Sequence, residues 1–382
     1  MTTHVFIVDS NTFDIHLKYL FVGTGARNYN VDFNNSKNTR YNSSIENMLV
    51  SMIADASRIR QGDKMIFYLQ QNIENKIYEG KFYGIFEATE NWSFIENSQY
   101  LLDELGKSLV FRSLIKPYKV YKTGVTEWET LDQISGLTSP NQMLWSLIYR
   151  KLRANRGNTM ITIYEAEKMF QLIRNKNNRE ELDCSSGSLC FNKELEEIDI
   201  IHQDFEYIGN KEDIKVLPRL IRKYGLNLAF ESHLQAYIIK YIGTNINETL
   251  DRCILGQNCS IEWLGNEMSC GVGMQRIDVA LSAVRNEQRI FIPIELKSVI
   301  VKKDIVYQMQ RYIDWIKQYY LPNRQSDIEP IIIGKKRLRR NIESYRETVE
   351  AFNNFNESNN LTIKYIEYEV ENNNLNFEEV NY

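Results

Sequence analysis

Asp278, Glu295 and Lys297 are the residues whose types and spacing best support chemistry. They lie in MQRIDVALSAVRNEQRIFIPIELK, residues 274–297, which reads as two strands joined by a short turn. Asp278 falls on the first strand, and Glu295 and Lys297 fall on the second. Successive side chains of a strand point to opposite faces, so Glu295 and Lys297 share a face while Leu296 points away. The second strand is almost wholly apolar before them (Ile290, Phe291, Ile292, Ile294), as a buried strand is. Buried charges are costly unless they meet a partner. A divalent metal with a phosphate is one such partner, matching hard-cation chemistry on carboxylate oxygens. A structural salt bridge between the two strands is the other.

The elements that must position these groups follow from periodicity. Lys302–Tyr320 reads as a helix, with Ile305, Met309, Tyr312, Ile313, Ile316 and Tyr320 at helical spacing. Gln308 and Tyr312, four apart, sit one above the other on it. Ala229–Ile242 reads as a second helix, with Phe230, Leu234, Ile238 and Ile242 as its apolar stripe. Glu231 lies beside that stripe, where an unpaired acid is expensive. The order is helix with Glu, strand with Asp, strand with Glu-x-Lys, helix with Gln-x-x-x-Tyr. Beyond it, EPIIIGKK reads as a strand, RNIESYRETVEAFNNFN as a helix and LTIKYIEYEV as a strand. The polar ENNNLNFEEVNY is expected to fray.

That ordered set resembles the PD-(D/E)xK nuclease superfamily. Within it, RID, IELK and QMQRYIDW look most like the branch of NucS/EndoMS-type and RecB-type nuclease domains. Ile277 stands where the family name promises a Pro, a departure that the RID branch shares. The resemblance covers roughly residues 215–382. It implies a mixed sheet flanked by helices and a Mg²⁺-dependent phosphodiester hydrolase in which Mn²⁺ substitutes. Asp278 and Glu295 would hold the metal, with the carbonyl of Leu296 as a further ligand. Lys297 would orient or polarise the attacking water. Glu231 would hold a second metal or a metal-bound water, Gln308 would support the site, and Tyr312 would contact DNA or pack.

Nearer the start, HVFIV reads as a strand, Asp9-Ser10-Asn11 as its turn, residues 23–44 as a surface loop and 45–60 as a helix. GDKMIFYLQ and GKFYGIFEA follow as strands, and this pair resembles the PUA-like class of small β-barrels, especially its EVE and YTH relatives. That resemblance covers about residues 1–135 and implies a domain that reads nucleic acid, holding a flipped or modified base in an aromatic pocket. Tyr68, Tyr83 and Trp92 are the local aromatics, with Tyr83 the better core residue and Trp92, after Glu90-Asn91, the better pocket residue.

Basic residues cluster despite a net charge of −4. Lys116, Lys119 and Lys122 interleave with Tyr118 and Tyr121. Arg150, Lys151, Arg153 and Arg156 form a second group, and Lys335, Lys336, Arg337, Arg339 and Arg340 a third. Each group either tracks a phosphate backbone or forms a solvated face. Residues 139–174 read as helical, opened by Ser139-Pro140 and striped by Met143, Leu144, Leu147, Ile148 and Leu152. Residues 136–214 are thus expected to be a helical connector and linker.

At 382 residues, the chain is long enough for two or three cores. The fold class expected is multidomain α+β or α/β: a PUA-like barrel, the connector and the nuclease sheet. Five cysteines at irregular spacing fit a reducing compartment, and no C-x-x-C pair supports a zinc site. No signal peptide or membrane span is expected, and the location expected is cytoplasmic. No G-x-x-x-x-G-K-[ST] motif occurs, so no ATP is expected to be used. The leading functional expectation is a type II-like restriction endonuclease acting on double-stranded DNA as a homodimer. A repair endonuclease for mismatched, branched or flap DNA is the alternative, and a DNA-binding protein with a vestigial nuclease site is the third.

Overall fold

A computed structural model describes residues 1–26, 31–32, 43–132, 136–142, 144, 157–270 and 275–382. The chain forms two compact units, Met1–Asp32 with Asp55–Ile214 and Phe33–Ala54 with Lys215–Tyr382.

The strands of the first unit are β1 (Thr3–Val8), β2 (Phe21–Thr24), β3 (Lys64–Leu69), β4 (Lys81–Ala88), β5 (Phe94–Ile95), β6 (Phe111–Pro117), β7 (Val125–Thr126) and β8 (Asn158–Ile161). They form one mixed sheet in the order β2-β6-β4-β3-β1-β8, with β5 joined to β6 and β7 to β4. Helix α1 (Ser10–Lys18) follows β1, because the Asp9 carboxylate caps it by accepting the Asn11 and Thr12 N–H groups at 3.1 and 2.8 Å. The turn expected at Asp9-Ser10-Asn11 is thus a helix start, the same side-chain chemistry continued into a capping box by Thr12. Phe13, Phe67, Tyr83 and Phe86 pack in the core between α1 and the sheet. Tyr83 is buried, and its hydroxyl donates to the Glu196 carbonyl at 2.7 Å.

Among the described residues of 136–214, where a helical connector and linker was expected, a helix forms over Ile163–Lys176, but strands form as well. Asn158–Ile161 is the edge strand β8, paired antiparallel with β1. A Thr162–Glu165 capping box then opens helix α3, which we number after α2 (Ser43–Ser57) and which spans Ile163–Lys176. β9 (Ser188–Asn192) and β10 (Glu197–Ile201) form a hairpin whose Leu189, Phe191 and Ile198 are buried in the first unit's core. Helical spacing in TMITIYEAEKMF concealed the cap, and β-branched Thr159 and Ile161 suit the strand before it. Pro140–Gln142 is a 3₁₀ turn. Met143, Leu147, Ile148 and Leu152 of the expected stripe, and Arg150, Lys151, Arg153 and Arg156, lie outside the described residues.

The second unit is built on helices α4 (Leu217–Gly225) and α5 (Glu231–Tyr241) and on the strands β11 (Cys259–Ser269), β12 (Arg276–Arg285), β13 (Gln288–Leu296), β14 (Asp327–Ile328), β15 (Ile331–Lys335), β16 (Lys364–Glu371) and β17 (Asn374–Glu379). The sheet order is β11-β12-β13-β15-β16-β17, with β14 beside β13. β13, β15 and β16 are mutually parallel, and the crossovers between them carry α6 (Ile305–Trp315) and α7 (Glu343–Asn359). α6 widens into a π-helical turn over Ile316–Tyr320. Asn286 and Glu287 both take positive φ, 49° and 69°, in the two-residue turn from β12 to β13.

The fraying expected at the end does not occur in β17. Asn372 and Asn373 adopt φ of 49° and 59°, which closes a tight hairpin and returns Leu375 and Phe377 to the core. The first part of α2 belongs to this unit. Its Glu46 is buried, accepting from Arg219 Nε at 2.9 Å and lying 2.8 Å from His233 Nε2 and 3.3 Å from Lys223 Nζ.

Candidate active site

The site forms where one strand ladder divides. The antiparallel pairing of β12 with β13 ends at Val279 opposite Ile294, and Asp278 and Glu295 are the next residues along the two strands, where the ladder opens. There the Asp278 Oδ2 atom accepts the Leu296 N–H at 2.8 Å. β13 continues instead with β15, pairing Glu295 with Ile332 and Leu296 with Ile333. Lys297 keeps this register through its N–H to the Ile333 carbonyl at 2.8 Å. Alternation therefore turns Glu295 and Lys297 to one face and sends Leu296 into the core.

Glu295 is fully buried, with both oxygens engaged. Lys297 Nζ lies 2.5 Å from Oε1, and the Tyr312 hydroxyl lies 2.7 Å from Oε2. The same hydroxyl is 2.5 Å from the Arg276 carbonyl and accepts from Gln308 Nε2 at 2.7 Å, so one phenolic proton serves two acceptors. The helical i, i+4 relation of Gln308 and Tyr312 thus makes a brace for the carboxylate. Glu231 opens α5, accepts the Ser298 N–H at 3.4 Å, and lies 3.9 Å from Lys297 Nζ. The ion pair at the site lies along one strand face, not between strands.

Burial and the neighbouring Glu295 charge push the Asp278 carboxyl well above the usual carboxylate range, against the lowering effect of the Leu296 N–H. Burial also raises Glu295, although Lys297 and Tyr312 oppose it. For Lys297, burial alone would lower the ammonium's pKa, but the charges of Glu295, Glu231 and Asp278 outweigh it and raise it. One ammonium among three carboxylates leaves net negative charge in a partly dry site.

Among the described residues, no group of three or more His, Cys, Asp or Glu side chains is gathered as a metal cage. Mg²⁺ does not require one: it is commonly held by one or two carboxylates, with waters and substrate phosphates completing the shell. The Asp278–Glu295 pair fits that donor set, and no hydrogen bond to Asp278 Oδ1 forms among the described residues.

Two supports have no counterpart in the sequence reading. Buried Gln235, one turn after Glu231 on α5, donates to the Asp278 carbonyl at 2.8 Å and to Glu267 Oε1 at 3.3 Å. Glu267 holds Arg276 at 2.6 Å, two residues before Asp278. The i, i+4 spacing of Glu231 and Gln235 was the available signal.

The first unit's candidates do not gather. Tyr68 stands opposite Phe82 and donates to Glu127 Oε1 at 2.7 Å. Trp92 follows the other end of β4, a separation of about 20 Å along the strand from Phe82 to Ala88. Trp92 is half-buried at φ 63°, with the Arg60 guanidinium 5.9 Å from its ring. Lys116 pairs with Glu87 at 2.9 Å, Lys119 with Glu181 at 4.0 Å and Lys122 with Glu197 at 3.0 Å, so this patch carries matched charge. In the second unit, Lys336 pairs with Glu369, whereas Lys335 donates to the Asn227 amide oxygen at 3.2 Å and lies 4.4 Å from the Tyr224 ring centroid, with no acidic partner among the described residues.

Fold and site together define a two-unit α+β protein with a buried glutamate, a half-buried aspartate and a lysine at a strand fork. No protein-family model and no curated protein matches the chain. Among solved structures, it is similar to the human THYN1 protein in complex with 5-methylcytosine-containing DNA. The identity is 8% and the TM-score 0.26, over 45% of this chain and 97% of that one. No helix among the described residues is long and apolar enough to cross a membrane.

Proposed function

We propose that the chain is a divalent-metal-dependent DNA endonuclease of the PD-(D/E)xK kind. The observation that carries this reading is that Asp278 and Glu295 both lie where the β12–β13 ladder opens, with the Asp278 carboxylate on the Leu296 N–H at 2.8 Å and Lys297 Nζ 2.5 Å from Glu295. Asp278 and Glu295 would hold Mg²⁺ or Mn²⁺, with the Leu296 carbonyl beside them. When bound, the metal supplies an activated water and neutralises charge on the phosphate. Lys297 would orient the attacking water and offset charge on the phosphate. Tyr312 and Gln308 fix the Glu295 rotamer, Gln235 fixes the backbone at Asp278, and Glu231 adds charge at the rim.

Recognition is assigned to the first unit, as a PUA-like reader of sequence or of a modified base. Its support is the resemblance of the β3–β4 stretch and the half-buried Trp92, not the paired lysines. A type II-like restriction enzyme is the activity we favour, and a palindromic cut would require two copies on one symmetric duplex. Incubation with phage and plasmid DNA in Mg²⁺, beside mismatched oligonucleotides, tests this. Discrete ends on intact duplex support restriction, and cutting confined to mismatched, branched or flap DNA gives the repair reading.

A further inference from the structure

A cleft of about 1050 Å³ adjoins the candidate site within the second unit. Phe230 and Ser298 line it, the neighbours of Glu231 and Lys297 in the chain. Its walls are the segments 298–302 and 335–342. The walls are locked together. Lys335 N–H donates to the Val299 carbonyl at 3.1 Å, and buried Arg337 donates to the Val301 carbonyl at 2.6 Å and to Ser344 Oγ at 3.2 Å. A Cβ at Gly334 would lie 2.3 Å from Val301 Cγ2, so only glycine lets the two segments pack this closely.

Two kinds of side chain face the opening. Lys302, Lys335 and Arg339 line it without an acidic partner among the described residues, in contrast to the paired lysines of the first unit. Beside them, Leu228, Val299, Ile300, Leu338 and Ile342 are exposed, with Leu338 at 93%. A group of exposed aliphatic side chains gathered at one cleft and rimmed by cations marks a contact surface. Unmatched cations beside it match a phosphate backbone, and aliphatic side chains amid such cations can enter between base pairs and open a step.

We propose that this cleft takes duplex DNA next to the scissile phosphate, and that Leu338 wedges into the stack there while Lys302, Lys335 and Arg339 hold the flanking phosphates. This rests on the nuclease reading for its place in the reaction. It makes Leu338 a positioning residue, acting through the shape of the DNA, and it makes the deformability of one step part of the specificity.

The test uses the full chain in Ca²⁺ with duplexes of a cleaved sequence, each carrying 2-aminopurine at one position, and measures fluorescence and binding. Expected is a fluorescence rise at one step beside the cut that Leu338→Ala abolishes while still binding. In Mg²⁺, that variant should then cut about tenfold more slowly or worse, with KM little changed. Leu338 is exposed, so the variant's fold is not at risk, and Arg339→Ala should weaken binding and lower its salt dependence. No rise at any step, or a rise that survives Leu338→Ala, overturns the proposal. So does conversion of a dimer to a monomer by Leu338→Asp with the rise intact, which would make the cleft a contact between copies. A rise with no cutting by the wild type in Mg²⁺ defeats the nuclease reading alone, and cutting without a rise defeats this inference alone. Where no cleaved sequence is found, phage DNA fragments retained in Ca²⁺ supply the duplex.

Discussion

Asp278 and Glu295 are the next residues along β12 and β13 after the ladder between these strands ends at Val279 and Ile294, and the Asp278 carboxylate takes the Leu296 N–H that the ladder leaves open. A side chain has replaced a strand bond. The result is two acids on one face, a lysine beside them and an opening toward solvent.

Glu295→Gln and Lys297→Met preserve side-chain size at that opening. Each should lower cleavage by at least about 100-fold, the scale for losing a single preorganised charged group, while binding DNA nearly as the wild type does. Single-turnover cleavage and gel-shift measurements in Ca²⁺ check this, and near-normal turnover by either variant would remove the site.

Tyr312→Phe removes the hydroxyl that meets Glu295 Oε2 at 2.7 Å. A support for a metal-holding carboxylate is expected to cost about 10–100-fold in activity or metal affinity. Higher Mg²⁺ should partly restore the rate of this variant but not that of Glu295→Gln. Titrating the rate with Mg²⁺ distinguishes them.

Stability should depend on pH in opposite senses at two sites. Burial alone would raise Glu46, but hydrogen bonds from His233 and Arg219 hold it well below its ordinary value. Its contribution is present above the unfolded carboxylate pKa and is lost as pH falls through the depressed folded value. Asp278 is raised, so the folded state holds its proton more tightly, and stability declines as pH climbs from the unfolded value through the folded one. Asp278→Asn should therefore raise Tm at neutral pH, and Mg²⁺ should stabilise the wild type more as pH rises, because its binding displaces that proton. Thermal melts across pH, with and without Mg²⁺, check both; a Tm of Asp278→Asn below the wild type's would contradict the burial account.

Glu46→Ala should cost about 3–5 kcal/mol in the second unit, the usual penalty for removing one member of a buried ion pair. The same reasoning predicts that a fragment of residues 215–382 alone, which lacks Glu46, folds poorly, whereas one that retains α2 folds better. Urea melts of the variant and circular dichroism of the two fragments measure this.

The candidate site was legible because its parts are local patterns: alternation fixed Glu295 against Lys297, and an i, i+4 step fixed Gln308 under Tyr312. Helical stripes placed Phe230, Leu234, Ile305 and Met309 in the core for the same reason. What escaped depends on distant partners. Glu46 finds Arg219 and His233 across more than 170 residues, and Gln235 finds Asp278 across 43. β8 was misread as helix because the helical spacing of the segment after it runs through the Thr162 cap, and β17 as a frayed end because its Asn372–Asn373 turn looks polar until β17 pairs with β16. For the lysine cluster, charge spacing along the chain does not reveal that Glu87, Glu181 and Glu197 pair with Lys116, Lys119 and Lys122.

The central claim is that Asp278, Glu295 and Lys297 cut DNA with a divalent metal. The most direct measurement incubates the purified full chain and its Glu295→Gln variant with phage and plasmid DNA in Mg²⁺, Mn²⁺, Ca²⁺ or EDTA and sequences the ends. The account predicts cleavage by the wild type in Mg²⁺ and Mn²⁺, little in Ca²⁺, none in EDTA and none by the variant. Cutting that persists in EDTA, equal cutting by Glu295→Gln, or no cutting of any of these DNAs would contradict it.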